Sequence, residues 1–385
     1  MKKTLALVLI LAFFVLFGSA LPQKSSAAEY PINLQAKSAI LMDAKTGTIL
    51  FAQNADEALP PASVTKIMTL LLVMEAIDEG RISLEERVTV SAEAAAMGGS
   101  QVYLEVGETM TVEEMIKCVV IASANDAAYA LAEHVAGSEA AFVSLMNARA
   151  RDLGMENTHF ENTNGLDDTV TEHLISARDI AIMSRALIQY EKILEYTKIW
   201  QDTVRDGAFT LTNTNRLIRF YPGATGLKTG STSKALFCIS ATAERGGTHL
   251  IAVVMGAPTR DIRNAETKKL LDYGFANYTS YATEGENLPP IPLTGSTVEA
   301  LPIRVLPISV VLTKGQEACI KVNYKLPEAI RAPIREGEVI GQAEYTVDGK
   351  VVAAADVVAA CDAASISFTD LLWRLISGML GVFKK

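Results

Sequence analysis

A serine hydroxyl is a weak nucleophile until a base takes its proton, and Pro60-Pro61-Ala62-Ser63-Val64-Thr65-Lys66 supplies both groups at short range. The apolar run 67–77, closed by Gly80, follows directly. Ser63 therefore falls at or near a helix start, where free backbone N–H groups and the dipole favour developing negative charge. Spacing of i, i+3 sets Lys66 on the same face. Lysine serves as a base when burial or a second cation lowers its pKa. Taken alone, S-x-x-K more often marks a capping serine with a solvated lysine one turn on.

Two further segments carry polar groups suited to the same chemistry. Ser123-Ala124-Asn125 interrupts two apolar helical stripes, so its hydroxyl and amide are free to enter a cleft, to relay a proton and to hold a substrate amide. Capping is the plainer explanation. In Gly226-Leu227-Lys228-Thr229-Gly230-Ser231-Thr232, a lysine and a hydroxyl on an edge strand suit a carboxylate, and Gly230 lets a ligand approach the backbone. Its plain alternative is a solvated turn.

The elements that must position these groups are legible in outline. Residues 38–42 and 48–52 read as a hairpin, as do 235–243 and 250–256 across Glu244-Arg245-Gly246-Gly247, with the K-T-G segment running into the strand at Ala235. Helical patterns fill 63–196. Strands at both ends of a helical insert give an α+β domain with one antiparallel sheet. From 281 to 363, Pro- and Gly-punctuated β-prone runs such as 305–312 and 318–324 predict a small all-β module, with a hairpin at Asp348-Gly349.

Both ends carry targeting signals. Met1-Lys2-Lys3, the apolar run 5–17 and small residues up to Ala28 describe a signal peptide, residues 1–28, with cleavage after Ala20 and an uncleaved anchor as the alternatives, so the chain is expected to be exported. In 365–385, Phe368, Leu371, Leu372, Leu375, Ile376, Met379, Leu380 and Phe383 share one helical face. Asp370 and Arg374 argue against a membrane span and for an amphipathic helix in the interface, with docking on protein as the alternative. With 35 Lys+Arg against 44 Asp+Glu and no basic run, the chain is a poor partner for nucleic acid. Four cysteines without a C-x-x-C and four scattered histidines argue against a structural zinc site. Two disulfides or buried free thiols are both compatible with Cys118, Cys238, Cys319 and Cys361.

The three motifs gain weight as a set: S-x-x-K at 63, S-x-N at 123 and K-T-G at 228 in one exported chain. With Gly99-Ser100-Gln101, Asn157-Thr158-His159-Phe160, Asn164-Gly165-Leu166 and Lys268-Lys269-Leu270-Leu271-Asp272-Tyr273-Gly274-Phe275, the chain resembles the D-alanyl-D-alanine carboxypeptidases, the low-molecular-mass penicillin-binding proteins of the serine peptidase type. The resemblance covers nearly all of the mature chain. It implies a penicillin-binding/β-lactamase-like transpeptidase domain over 29–280, a small all-β domain over 281–363 and a membrane-anchoring helix over 364–385, with no metal or cofactor. It also implies that Ser63 attacks the carbonyl between the last two D-alanines of a peptidoglycan stem peptide, with Lys66 as base.

By the same resemblance, the N–H groups of Ser63 and Ser231 form the oxyanion hole and Ser123 passes a proton to the leaving D-alanine. Asn125 contacts the substrate amide and Lys66, while Lys228 and Thr229 bind the terminal carboxylate. Lys228 also helps to keep Lys66 neutral, and Arg263 is a further candidate contact for the carboxylate. β-Lactam antibiotics become covalent inhibitors at Ser63, and residues 365–385 hold the enzyme at the outer face of the cytoplasmic membrane. Ser231 stands where some members have histidine, and Ala124 where others have glycine; neither change removes a needed group, and both bear on rate and β-lactam preference. A serine β-lactamase would need a dedicated deacylating base, for which Glu161 lies in the right region without the usual Leu-Asn pair. A catalytically silent peptidoglycan-binding protein would have no need of the intact Ser63, Lys66, Ser123 and Lys228 set.

Overall fold

All six residues of strand β1 (Ser38–Asp43) are buried, so the sheet they enter is covered on both faces. The computed structural model describes residues 32–379; the leader reading and residues 380–385 of the tail lie outside them. β1 pairs antiparallel with β2 (Ile49–Gln53). With β3 (Ala224–Thr232), β4 (Leu236–Arg245) and β5 (Thr248–Ala257), they make a five-stranded sheet in the order β2-β1-β5-β4-β3. Gly246 and Gly247, with φ of 56° and 79°, close the two-residue turn from β4 to β5 that the sequence signals. The K-T-G residues do not lead into a strand. They lie within β3 itself, which is an edge strand as expected.

The insert between β2 and β3 centres on α1 (Lys66–Asp78), in which every residue from Lys66 to Met74 is buried. A helix enclosed all round belongs in a core rather than at a surface, and α1 packs against α2 (Asn125–Ala136) and α3 (Ala177–Leu187). Side chains of the sheet alternate between its faces. Ile40, Met42, Ile251, Val253 and Met255 join the core of the insert. On the other face, Leu41 and Leu250 meet α4 (Arg260–Asn277) so closely that a Cβ on Gly274 would lie 2.5 Å from the Leu250 side chain. The sheet is thus a middle layer, with helices from two separate parts of the chain on either side.

β6 (Tyr278–Thr283) follows α4 directly, so the expected boundary at 280/281 falls inside a strand. The module beyond holds a six-stranded sheet built from β7 (Glu286–Thr294), β8 (Ala300–Val305), β10 (Lys321–Lys325), β11 (Ile330–Arg331), β12 (Val339–Val347) and β13 (Lys350–Ala359). β9 (Ile308–Thr313) pairs with β6 instead. The run expected as one strand over 305–312 is therefore two strands in different sheets, parted at Leu306-Pro307, where proline has no N–H for a ladder. The expected strand over 318–324 begins with a short helical turn, Gln316–Cys319, before β10. Asp348 and Gly349, at φ of 49° and 77°, make the predicted hairpin. Leu301, Ile303, Val357 and Ala359 anchor a separate small core.

On the tail helix α5 (Phe368–Met379), Phe368 is 78% exposed and Trp373 72%. No helix among the described residues is long and apolar enough to cross a membrane. All four cysteines are free, Cys118 and Cys238 buried, Cys319 and Cys361 exposed.

Candidate active site

Ser63 does not open a regular helix. It sits in a tight turn, Ala62–Thr65, that feeds α1, and Ala62 just before it has φ of 49°. That left-handed value is uncommon for a residue with a side chain. Ser123 is placed by a second irregularity: the helix before it widens to a π-type turn over Cys118–Ala122 and ends with Ser123 itself at φ of 64°. Such widenings recur at functional sites because they turn a side chain out of the helical register. Asn125 then begins α2, its N–H donating to the Ser100 carbonyl at 2.7 Å.

These elements meet around one cavity of about 180 Å³, lined by Ser63, Ser100, Ser123, Thr214, Thr229, Gly230, Ser231, Arg260 and Arg263. β3 forms one wall only because residue 230 is glycine. A Cβ there would lie 2.8 Å from both the Pro61 carbonyl and the Ser63 nitrogen. Lys66, Asn125 and Lys228 lie behind the wall and reach the cavity through the residues they bond.

Lys66 is fully buried, with its Nζ 2.8 Å from Ser63 Oγ, 2.5 Å from Asn125 Oδ1 and 2.9 Å from the Asn164 carbonyl. Burial holds its pKa well below the usual lysine value, the positive charge of Lys228 lowers it further, and Asp126 opposes them. The amide and carbonyl oxygens can only accept. In the neutral amine they take both N–H groups, leaving the lone pair for the Ser63 hydroxyl proton. Asn125 is pinned from behind by its own Nδ2–H to the Gly98 carbonyl at 2.6 Å.

Lys228 Nζ donates to Ser123 Oγ at 2.7 Å and to the Thr229 carbonyl at 2.9 Å. Burial, and then Arg263, bring its pKa down to about 7. Thr229 Oγ1 donates to Thr214 Oγ1 at 2.9 Å. Arg263, 2% exposed, bonds Asn264 Oδ1; burial, and then Arg260, lower its pKa to about 10. A small cavity lined by Ser63, Arg260 and Arg263, with Lys228 bonded to Ser123 behind its wall, suits acyl transfer on a substrate that ends in a carboxylate.

All seven residues singled out by motif converge here, as does Arg263. Ser100, Thr214, Arg260 and the Asn164 carbonyl were not read as site groups. Thr214 and Arg260 carry no local signal, and a main-chain carbonyl has none at all. Glu161, the one candidate for a β-lactamase base, does not line the cavity; its carboxylate accepts the Glu172 N–H at 2.8 Å.

Residues 23–259 match the family model described as D-alanyl-D-alanine carboxypeptidase, and residues 305–364 match that of the penicillin-binding protein 5 C-terminal domain. D-alanyl-D-alanine carboxypeptidase DacF of Bacillus subtilis (strain 168) is 41% identical over 382 residues, covering 97% of this chain and 98% of the relative. Penicillin-binding protein 5 of Haemophilus influenzae superposes with a TM-score of 0.78 at 31% identity, over 88% of this chain and 100% of that one. Penicillin-binding protein D2 of Listeria monocytogenes, solved in an ampicillin-bound form, gives 0.59 at 34% identity, over 64% of this chain and 100% of that one. With family model, full-length relative and cavity in agreement, the chain belongs to the D-alanyl-D-alanine carboxypeptidase family of serine peptidases.

Proposed function

We propose that Ser63 is the nucleophile of a carboxypeptidase that removes the terminal D-alanine from peptidoglycan stem peptides. The observation that carries this is the Lys66 amine, buried, depressed in pKa and 2.8 Å from Ser63 Oγ. As Ser63 Oγ bonds to the penultimate D-alanine's carbonyl carbon, its proton passes to Lys66. The N–H groups of Ser63 and Ser231 hold the resulting oxyanion. Collapse breaks the C–N bond, Ser123 relays the proton taken up by Lys66 to the departing amine, and free D-alanine leaves. Water then attacks the Ser63 ester, releasing the shortened peptide and restoring the hydroxyl. Lys228, Thr229 and Arg263 bind the terminal carboxylate, and Asn125 holds the substrate amide and Lys66.

A β-lactam enters by the same route, because its strained amide and carboxylate match these groups; the ampicillin-bound relative supports this reading. Export through residues 1–28 would place the enzyme beside its polymer. The exposed apolar side chains of α5 favour a helix lying on the outer face of the cytoplasmic membrane.

The test is D-alanine release from a diacyl-Lys-D-Ala-D-Ala peptide by the purified chain. Release should vanish in Ser63→Ala and after penicillin treatment. Release that persists in Ser63→Ala would overturn the assignment, and rapid penicillin turnover without release would favour a β-lactamase.

A further inference from the structure

Ala62 and Ser63 share one planar peptide group, so its C=O and N–H point opposite ways and cannot be aimed independently. Whatever grips the Ala62 oxygen therefore sets the direction of the Ser63 N–H. That grip comes from Thr65, within the S-x-x-K segment, and Thr65 is held in turn by His173, which lies outside the three motifs. The Glu161 N–H donates to His173 Nδ1 at 3.0 Å, which leaves the ring proton on Nε2. Nε2–H then donates to Thr65 Oγ1 at 2.8 Å, and the Thr65 hydroxyl donates to the Ala62 carbonyl at 2.8 Å.

His173 is 3% exposed, Thr65 fully buried, and the Phe160 ring meets the imidazole edge-on at 5.8 Å. Burial lowers the imidazole pKa to about 4, so near neutral pH the ring stays uncharged, with one nitrogen accepting and the other donating. Gly165, at φ of 85°, closes the arrangement: a Cβ there would lie 1.9 Å from the Ala62 oxygen and 2.7 Å from Thr65 Oγ1. Ala62 itself holds an unfavourable φ, and such a conformation persists only where its surroundings enforce it.

We propose that His173 is a positioning residue for catalysis, acting through Thr65 to fix the Ala62–Ser63 peptide so that the Ser63 N–H faces the developing oxyanion. It does not touch substrate, and its effect belongs to the acylation step. The inference rests on the reading of Ser63 as nucleophile and oxyanion donor.

Stopped-flow acylation by benzylpenicillin separates initial binding from bond formation. His173→Phe keeps the ring and its contact with Phe160 but neither nitrogen, whereas His173→Gln restores a donor near the Nε2 position. Loss of a whole oxyanion donor costs about 10²–10³ in rate, and a misaimed donor loses part of that. His173→Phe should therefore acylate about 10- to 100-fold more slowly, with initial binding changed less than about threefold, and His173→Gln should recover most of the loss. Thr65→Val, which cuts the last link and leaves His173 in place, should show the same fall; it decides the matter if His173→Phe does not fold. Acylation within about twofold of wild type in either cut overturns the proposal, as does a loss that glutamine fails to restore, since that marks packing alone. A wild-type chain that forms no penicilloyl adduct refutes the Ser63 reading and this inference with it. Equal adduct formation in wild type and variants refutes the inference only.

Discussion

Two buried lysines, 66 and 228, share the site, and their neighbours divide their duties. Lys66 faces two obligate acceptors and one hydroxyl, the set a neutral amine needs to act as a base. Lys66→Ala should slow acylation by penicillin by about 10²–10⁴, the usual reach of general base catalysis, while initial binding stays nearly unchanged. Unchanged acylation would exclude Lys66 as the base. Burial, and then the charge of Arg263, bring Lys228 down to about 7 from an ordinary 10.5. Above about pH 7 the folded chain has released this proton while the unfolded chain still holds it, so stability rises with pH up to about 10.5. Below about pH 7 the penalty of a buried charge is fully present. Calorimetry should show the melting temperature rising more over this window in wild type than in Lys228→Met; parallel curves would contradict a depressed Lys228. Substrate should reverse the shift, because a bound carboxylate favours the charged lysine.

At the scale of elements, the site depends on places where regular structure gives way. The π-type turn over 118–122 rotates Ser123 toward Lys228, and the turn over 62–65 puts Ser63 against β3. β3 tolerates that approach through Gly230 alone. Gly230→Ala would push a methyl group against the Pro61 carbonyl and Ser63 nitrogen, both main-chain atoms. Displacements of about 1 Å can cost about 10²-fold in rate, so acylation should fall at least tenfold; a variant that acylates at the wild-type rate would show that the turn can move without cost.

For the whole molecule, the catalytic domain is followed by a module with its own core and by a helix that carries several exposed apolar side chains. Phe368, Leu371, Leu372, Trp373, Leu375 and Ile376 are all exposed. Full burial of one such side chain is worth about 1.5–3 kcal/mol, so even partial insertion of six supports reversible attachment to a lipid surface. Deleting 365–385 should abolish co-sedimentation with lipid vesicles and leave D-alanine release from a soluble peptide unchanged. A truncated chain that still sediments would move the attachment elsewhere. An enzyme held at that surface meets a membrane-apposed polymer at raised local concentration.

Ser63, Lys66, Ser123, Asn125, Lys228, Thr229 and Ser231 were all legible as candidates in the sequence, because each sits in a short motif whose residue types suit one chemistry. The two hairpin turns were legible as well: Gly246-Gly247 and Asp348-Gly349 need positive φ, and that demand is written in the residue itself. Other features depended on groups far apart in the chain. The Asn164 carbonyl that helps to hold Lys66 has no side-chain signature. Thr214 and Arg260 enter the cavity only through the fold. The second helical layer at α4, and the parting of 305–312 between two sheets, follow from partners that local periodicity does not contain. His173 lies 110 residues beyond Ser63, with no motif of its own, and reaches the nucleophile's turn only once the 161–173 loop packs against it. Residue type fixes which chemistry a side chain can do; burial, charge neighbours and the aim of a peptide group decide whether it does it, and those arise only when the chain closes on itself.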